Sequence, residues 1–172
     1  RQTATVAVAS EWALQNPQEA AAHYNDAVSQ LDGAALAAAI ADIWGTTNPA
    51  AAADWIKNLP SGPGKDEAAA TLATVWAASD IEAATAWSGS LADASVRRQA
   101  ITHIGTLWGA MEPDKALAWL GSQPQELATE GYAGAYNSWA ATDPIGLRQW
   151  VDTTPVNAGM DQARLSLADV LA

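Results

Sequence analysis

The sequence has no cysteine and no phenylalanine, only two methionines and only two histidines. Without cysteine there are no disulfides, thiolate nucleophiles or thiolate metal sites. Positive charge is scarce: eight Lys and Arg stand against nineteen Asp and Glu, for a net charge of -11. Phosphate backbones repel such a chain, which argues against nucleic-acid binding. No apolar run approaches the ~20 residues that cross a bilayer, so membrane insertion is not expected. What remains is 172 residues, 49% apolar, enough for one folded domain or one short run of repeats.

Two residue types are in excess. Alanine occurs 42 times and tryptophan nine. Alanine is the strongest helix former and lets helices approach closely. The tryptophans follow a repeat. Trp12, Trp44, Trp76, Trp108 and Trp139 are spaced by 32, 32, 32 and 31 residues. Eleven residues after each come His23, Trp55, Trp87, Trp119 and Trp150, which accounts for every tryptophan. His23, alone in replacing tryptophan, is expected to be a hydrogen-bonded core residue.

A corner lies between the paired aromatics: Asn16-Pro17, Asn48-Pro49, Asp80-Ile81, Glu112-Pro113 and Asp143-Pro144. Asn, Asp and here Glu read as N-caps, because a side-chain oxygen accepts from the free amides of a helix start. Proline suits the next position, having a fixed φ and no amide to satisfy. Ala20, Ala52, Ala84, Ala116 and Leu147 follow three residues later. A second break falls at Val28, Pro60, Ala92, Pro124 and Pro155, and Ser61-Gly62-Pro63-Gly64 is its clearest loop. Each unit is therefore two helices with one apolar face apiece. Leu36, Ile40, Ile43 and Trp44 define the first, and Ala52, Trp55, Ile56 and Leu59 the second. The nine tryptophans read as repeat core, filling gaps between alanine-faced helices.

The expected fold is all-α, a right-handed α-α superhelix of about 5.5 antiparallel hairpins with a 32-residue period. The units run over 1–32, 33–64, 65–96, 97–127, 128–159 and a half unit 160–172. Stacked hairpins build the continuous core that no single hairpin has. The chain begins at Arg1 rather than methionine, and we read it as a processed or excised piece of a longer product.

Asn48-Pro49-x-x-Ala52-x-x-Trp55, and Glu112-Pro113-x-x-Ala116-x-x-Trp119 as its acidic variant, resemble the corner of tetratricopeptide repeats. There are departures. That family has a period of about 34. Its Leu-Gly and Tyr after the tryptophan are missing here, and proline follows Trp55, Trp119 and Trp150 by five residues. The Trp-x4-Pro-x5-Trp-x4-Pro unit more closely resembles alanine- and tryptophan-rich repeats of uncharacterised bacterial proteins, over nearly the whole chain. By analogy, the resemblance to solenoids implies protein or peptide binding.

Catalytic signals are sparse. There is no HExxH, EF-hand or GxSxG motif. Gly62-Pro63-Gly64-Lys65 is a phosphate loop only superficially, because Asp66 stands where serine or threonine is needed. His23 and His103 lie two and a half units apart, too far to share a metal. The many carboxylates read as a solvated surface. Toroidal α/α hydrolases close a ring with more and longer helices than this chain supplies. No enzyme activity, metal or cofactor is expected.

Departures from the repeat mark candidate contacts. Tyr132 and Tyr136 share a helix face where other units carry small or aliphatic residues. Tyr24 and the only basic pair, Arg97-Arg98, complete the candidate partner surface. The leading expectation is a non-catalytic scaffold for another protein or a peptide. The alternative is a self-assembling structural subunit, a polymer or cell-envelope component, joined end to end through Leu165, Leu167, Val170 and Leu171 of the last helix. Carbohydrate binding through exposed tryptophans ranks below both. Export or the cell envelope is favoured over the cytoplasm, from the missing initiator methionine and cysteine.

Overall fold

The computed structural model describes residues 11–27, 33–154 and 160–171. Every regular element among them is a helix, and none is long and apolar enough to cross a membrane. The chain divides into two compact units, Arg1–Ala100 and Ile101–Ala172.

The first unit holds α1 (described over 11–15), α2 (Pro17–Ala22), α3 (Tyr24–Ala27), α4 (Gly33–Thr47), α5 (Pro49–Asn58), α6 (Pro63–Ser79), α7 (Ile81–Ser90) and the start of α8 (Ala94–Met111). Helix α4 packs along α6, with α5 against both and α7 against α6. Leu36, Ile40, Ile56 and Leu72 are fully buried at these contacts. Each such side chain contributes about 1.5–3 kcal/mol on leaving water. The second unit holds the rest of α8, α9 (Pro113–Gly121), α10 (Gln125–Thr142), α11 (Pro144–Thr153) and α12 (Met160–Leu171). Here α10 packs against α9, α11 and α12.

The corners form by local chemistry. The corner amide closes the preceding helix on the carbonyl four residues back, a tryptophan each time. The N···O distances are 3.0 Å for Asn16 to Trp12, 2.7 Å for Asn48 to Trp44, Asp80 to Trp76 and Asp143 to Trp139, and 2.8 Å for Glu112 to Trp108. The side chains of Asn16, Asn48, Asp80 and Asp143 then accept from the amides of Glu19, Ala51, Ala83 and Gly146, capping the next helix. One residue thus ends one helix and starts another. Glu112 departs from the expected cap. Its longer side chain instead accepts from Trp108 Nε1 at 3.2 Å and from Lys115 Nζ, and it makes no cap bond.

The second breaks use other means. Lys65 Nζ donates to the carbonyls of Lys57 at 3.0 Å and Leu59 at 3.1 Å, neutralising the end of α5. Gly62 takes a positive φ of 146° that disfavours any side chain. Asp93 Oδ1 accepts from Val96 N and Ser95 N at the start of α8. The Val96 bond foremost, with those from Ser95 and Ser61, holds the Asp93 carboxyl below its usual range against the opposing effect of burial. The breaks expected at Val28 and Pro155 lie outside the described residues.

Trp44, Trp87 and Trp139 are buried, whereas Trp12, Trp55, Trp76, Trp108, Trp119 and Trp150 are half-buried. The paired rings meet: Trp44–Trp55, Trp76–Trp87, Trp108–Trp119 and Trp139–Trp150 have centroids 6.3, 5.8, 6.0 and 5.9 Å apart. His23 stacks on Trp12 at 5.8 Å but is exposed, which corrects the expectation of a core histidine. It sits in the turn that interrupts the helix between α2 and α3.

Candidate functional site

The second unit carries an open cavity of about 740 Å³, walled by α9, α10, α11 and α12. Helix α10 forms its floor and is held by small residues on its far side. A Cβ on Gly134 would overlap Thr106 Oγ1, and one on Gly131 would come 2.7 Å from Leu120 Cδ2. Glycine at both positions lets α10 lie close to α8 and α9. Ser138 Oγ donates to the Thr106 carbonyl at 2.6 Å and fixes that approach. On another side α12 is tied to α10 by Ser166 Oγ, which donates to Asn137 Oδ1 at 2.6 Å.

Tyr132 and Tyr136 line this cavity one helical turn apart. Their rings stack with centroids 6.3 Å apart, and Tyr136 also meets Trp150 at 5.6 Å. Tyr136 is only 2% exposed and joins Trp139, Leu147 and Leu167 in the unit's core. Tyr132 is half-buried and bridges this cluster to a second one around Ile101, Leu120 and Ala128. Neither phenolic hydroxyl makes a hydrogen bond among the described residues. Burial raises both phenols above their ordinary value, and for Tyr136 burial with the neighbouring Tyr132 pushes it up to about 12. Both therefore stay neutral, each able to donate and accept.

Leu117, Leu120 and Leu165 supply the apolar walls. Gln125 and Gln162 add amides to the lining, and Asp161 is its only charged residue among the described residues. The Asp161 carboxylate lies 3.9 Å from Arg164, in an exposed pair. Among the described residues no cluster of three or more His, Asp or Glu side chains could hold a metal ion.

The structure thus brings Tyr132, Tyr136 and Leu165 to one cavity and distributes the other candidates elsewhere. Tyr24 is not a surface contact. It is 6% exposed, its hydroxyl donates to the Gly33 carbonyl at 2.9 Å, and its ring edge meets Trp55. Its phenol ties α3 to the start of α4. Arg97 is half-buried and Arg98 exposed, both on the part of α8 that belongs to the first unit.

The expected end-to-end contact also divides. Leu165 is 60% exposed and Val170 45%, but Leu167 is 8% exposed. Leu167 faces Tyr136 and Leu147 rather than an end surface, because α12 turns that side toward α10 and α11. The side chain of Leu171 lies outside the described residues. Sequence reasoning missed Gln125, Asp161, Gln162 and Leu117 as lining residues. Nothing in the repeat singles them out, since they converge only through packing of separate helices.

No family model matches the chain, and neither a curated protein nor a solved structure matches it.

Proposed function

We propose that this chain is a non-catalytic helical-repeat scaffold that binds a protein or peptide segment. The observation that carries this reading is the cavity of about 740 Å³, lined by the Tyr132 and Tyr136 phenols and by Leu117, Leu120 and Leu165, in which neither hydroxyl is spent on a hydrogen bond among the described residues. Its size lies within the ~300–1,000 Å³ of ordinary ligand sites. Its residues offer hydrogen bonds and apolar walls. In this reading the hairpins stack as a tetratricopeptide-like right-handed superhelix with the 32-residue period of the tryptophans. Two side-chain hydrogen bonds support such stacking, each joining residues 32 apart: Ser61 to Asp93 and Ser138 to Thr106.

The test is a display library of short peptides selected against the folded chain. Saturable binding that survives dilution supports the scaffold. A library that yields no binder at micromolar concentrations counts against it.

A self-assembling subunit is the second reading, favoured by the exposed Leu165 and Val170 on α12. It requires those residues to meet another copy, and replacing both with glutamate would then abolish polymer while leaving the helix content intact. Carbohydrate binding is less favoured, because the tryptophan rings are paired with one another rather than standing in an open row.

A further inference from the structure

We infer that the cavity of the second unit takes a basic peptide segment. An aliphatic side chain sits among Leu117, Leu120 and Leu165, the peptide backbone pairs with the Tyr136 hydroxyl, and a neighbouring lysine or arginine is drawn to Asp161. This rests on the scaffold reading and names the chemistry of its partner.

Three observations select this occupant. The first is the Tyr136 hydroxyl, on a side chain 2% exposed that borders the cavity without a hydrogen-bond partner among the described residues. Open to the cavity and neutral, this hydroxyl can donate to a backbone carbonyl or accept from a backbone amide of an occupant. The Gln125 and Gln162 amides in the lining extend the same pairing to an extended chain.

The second is the use of the rings. Tyr136 packs against both Tyr132 and Trp150, at 6.3 and 5.6 Å. With that ring covered by its neighbours, Tyr136 presents its hydroxyl and no face on which a sugar could stack. Leucine side chains make up the rest of the apolar wall and accept an aliphatic group.

The third is charge. Asp161 is the only charged lining residue among the described residues, and its pair with Arg164, exposed and 3.9 Å apart, leaves the carboxylate open to a cation from an occupant. Between residues 101 and 172 there are eight carboxylates and three Lys or Arg, a net of -5 (3 minus 8). The whole chain carries -11. An acidic peptide or a second copy of this chain is repelled, and a basic segment is attracted from a distance.

The experiment is fluorescence anisotropy on the full chain with two labelled probes. One is a glycine-flanked peptide of alternating leucine and lysine, the other its leucine and glutamate counterpart. The expected result is saturable binding of the lysine peptide and at least roughly tenfold weaker binding of the glutamate peptide. Tyr136→Phe should weaken the lysine peptide roughly three- to tenfold. Asp161→Asn should weaken it roughly two- to fourfold and flatten its salt dependence. Asp161 is exposed, so that variant keeps its fold, and circular dichroism verifies both.

Equal binding of the two probes, or affinity unmoved by either substitution, would overturn the inference while leaving a peptide scaffold standing. Binding of a neutral oligosaccharide that the lysine peptide cannot displace would also overturn it. If neither probe binds, the inference fails, and the display library decides separately whether the scaffold fails with it.

Discussion

Replacing Gly109 with alanine places a methyl group where there is no room for one. A Cβ built there lies 2.5 Å from Ala135 Cα, 2.7 Å from its carbonyl oxygen and 2.8 Å from its Cβ. The obstacle includes the backbone of α10, so no rotamer change relieves it and the helices must move apart. Overpacking of this kind costs about 1–3 kcal/mol. Alanine returns up to about 1 kcal/mol of helix propensity. The net expectation for Gly109→Ala is a loss of about 1–2 kcal/mol. Gly89 in α7 provides the opposite case, since nothing lies within 4 Å of a Cβ built on it. Gly89→Ala should therefore stabilise its own unit by about 0.4–1 kcal/mol. Urea denaturation followed by far-ultraviolet circular dichroism and tryptophan fluorescence measures both. Gly109→Ala as stable as the parent would refute the close approach of α8 and α10 on which the cavity floor depends.

Other substitutions separate residues that look alike in sequence. Asp143→Ala removes a cap bond to Gly146 and should cost about 1 kcal/mol, whereas Glu112→Ala, at a corner whose side chain caps nothing, should cost less in the same denaturation experiment. Leu167→Ala should destabilise by about 2–5 kcal/mol, while Leu165→Ala stays within about 0.5 kcal/mol, as read from thermal unfolding. In an alkaline titration followed by tyrosinate absorbance, Tyr136 should ionise near pH 12, and Tyr136→Phe should remove that late step. Its folded pKa is raised above the ordinary value of 10.0, so its contribution to stability is full below pH 10 and lost as pH rises toward 12.

The parts of the fold that could be read in advance are those made within a few residues. Asn48 and Asp80 cap the helix that follows because their oxygens reach amides three positions on, and that reach is written in the local sequence. The ring pairs follow from an eleven-residue offset that survives any arrangement of the units. Glu112 occupies the same slot, but one more methylene carries its carboxylate to Trp108 and Lys115. Leu165 and Leu167 were indistinguishable because which side of α12 meets α10 is a tertiary fact. Tyr24 looked like an exposed departure from the repeat, yet its partner Gly33 lies nine residues on, across a helix break. The cavity was the least legible feature. Its tyrosines stood out as exceptions to the repeat, but the space between them and α12 exists only once four helices have packed.

The most direct test of a binding scaffold against a self-assembling subunit is molar mass in solution, by light scattering across protein concentration and salt. The account predicts 17.8 kDa throughout, with Leu165 and Val170 left in solvent. Mass that grows with concentration, and falls back when Leu165 and Val170 are made glutamate, would contradict it and make α12 the contact of a polymer.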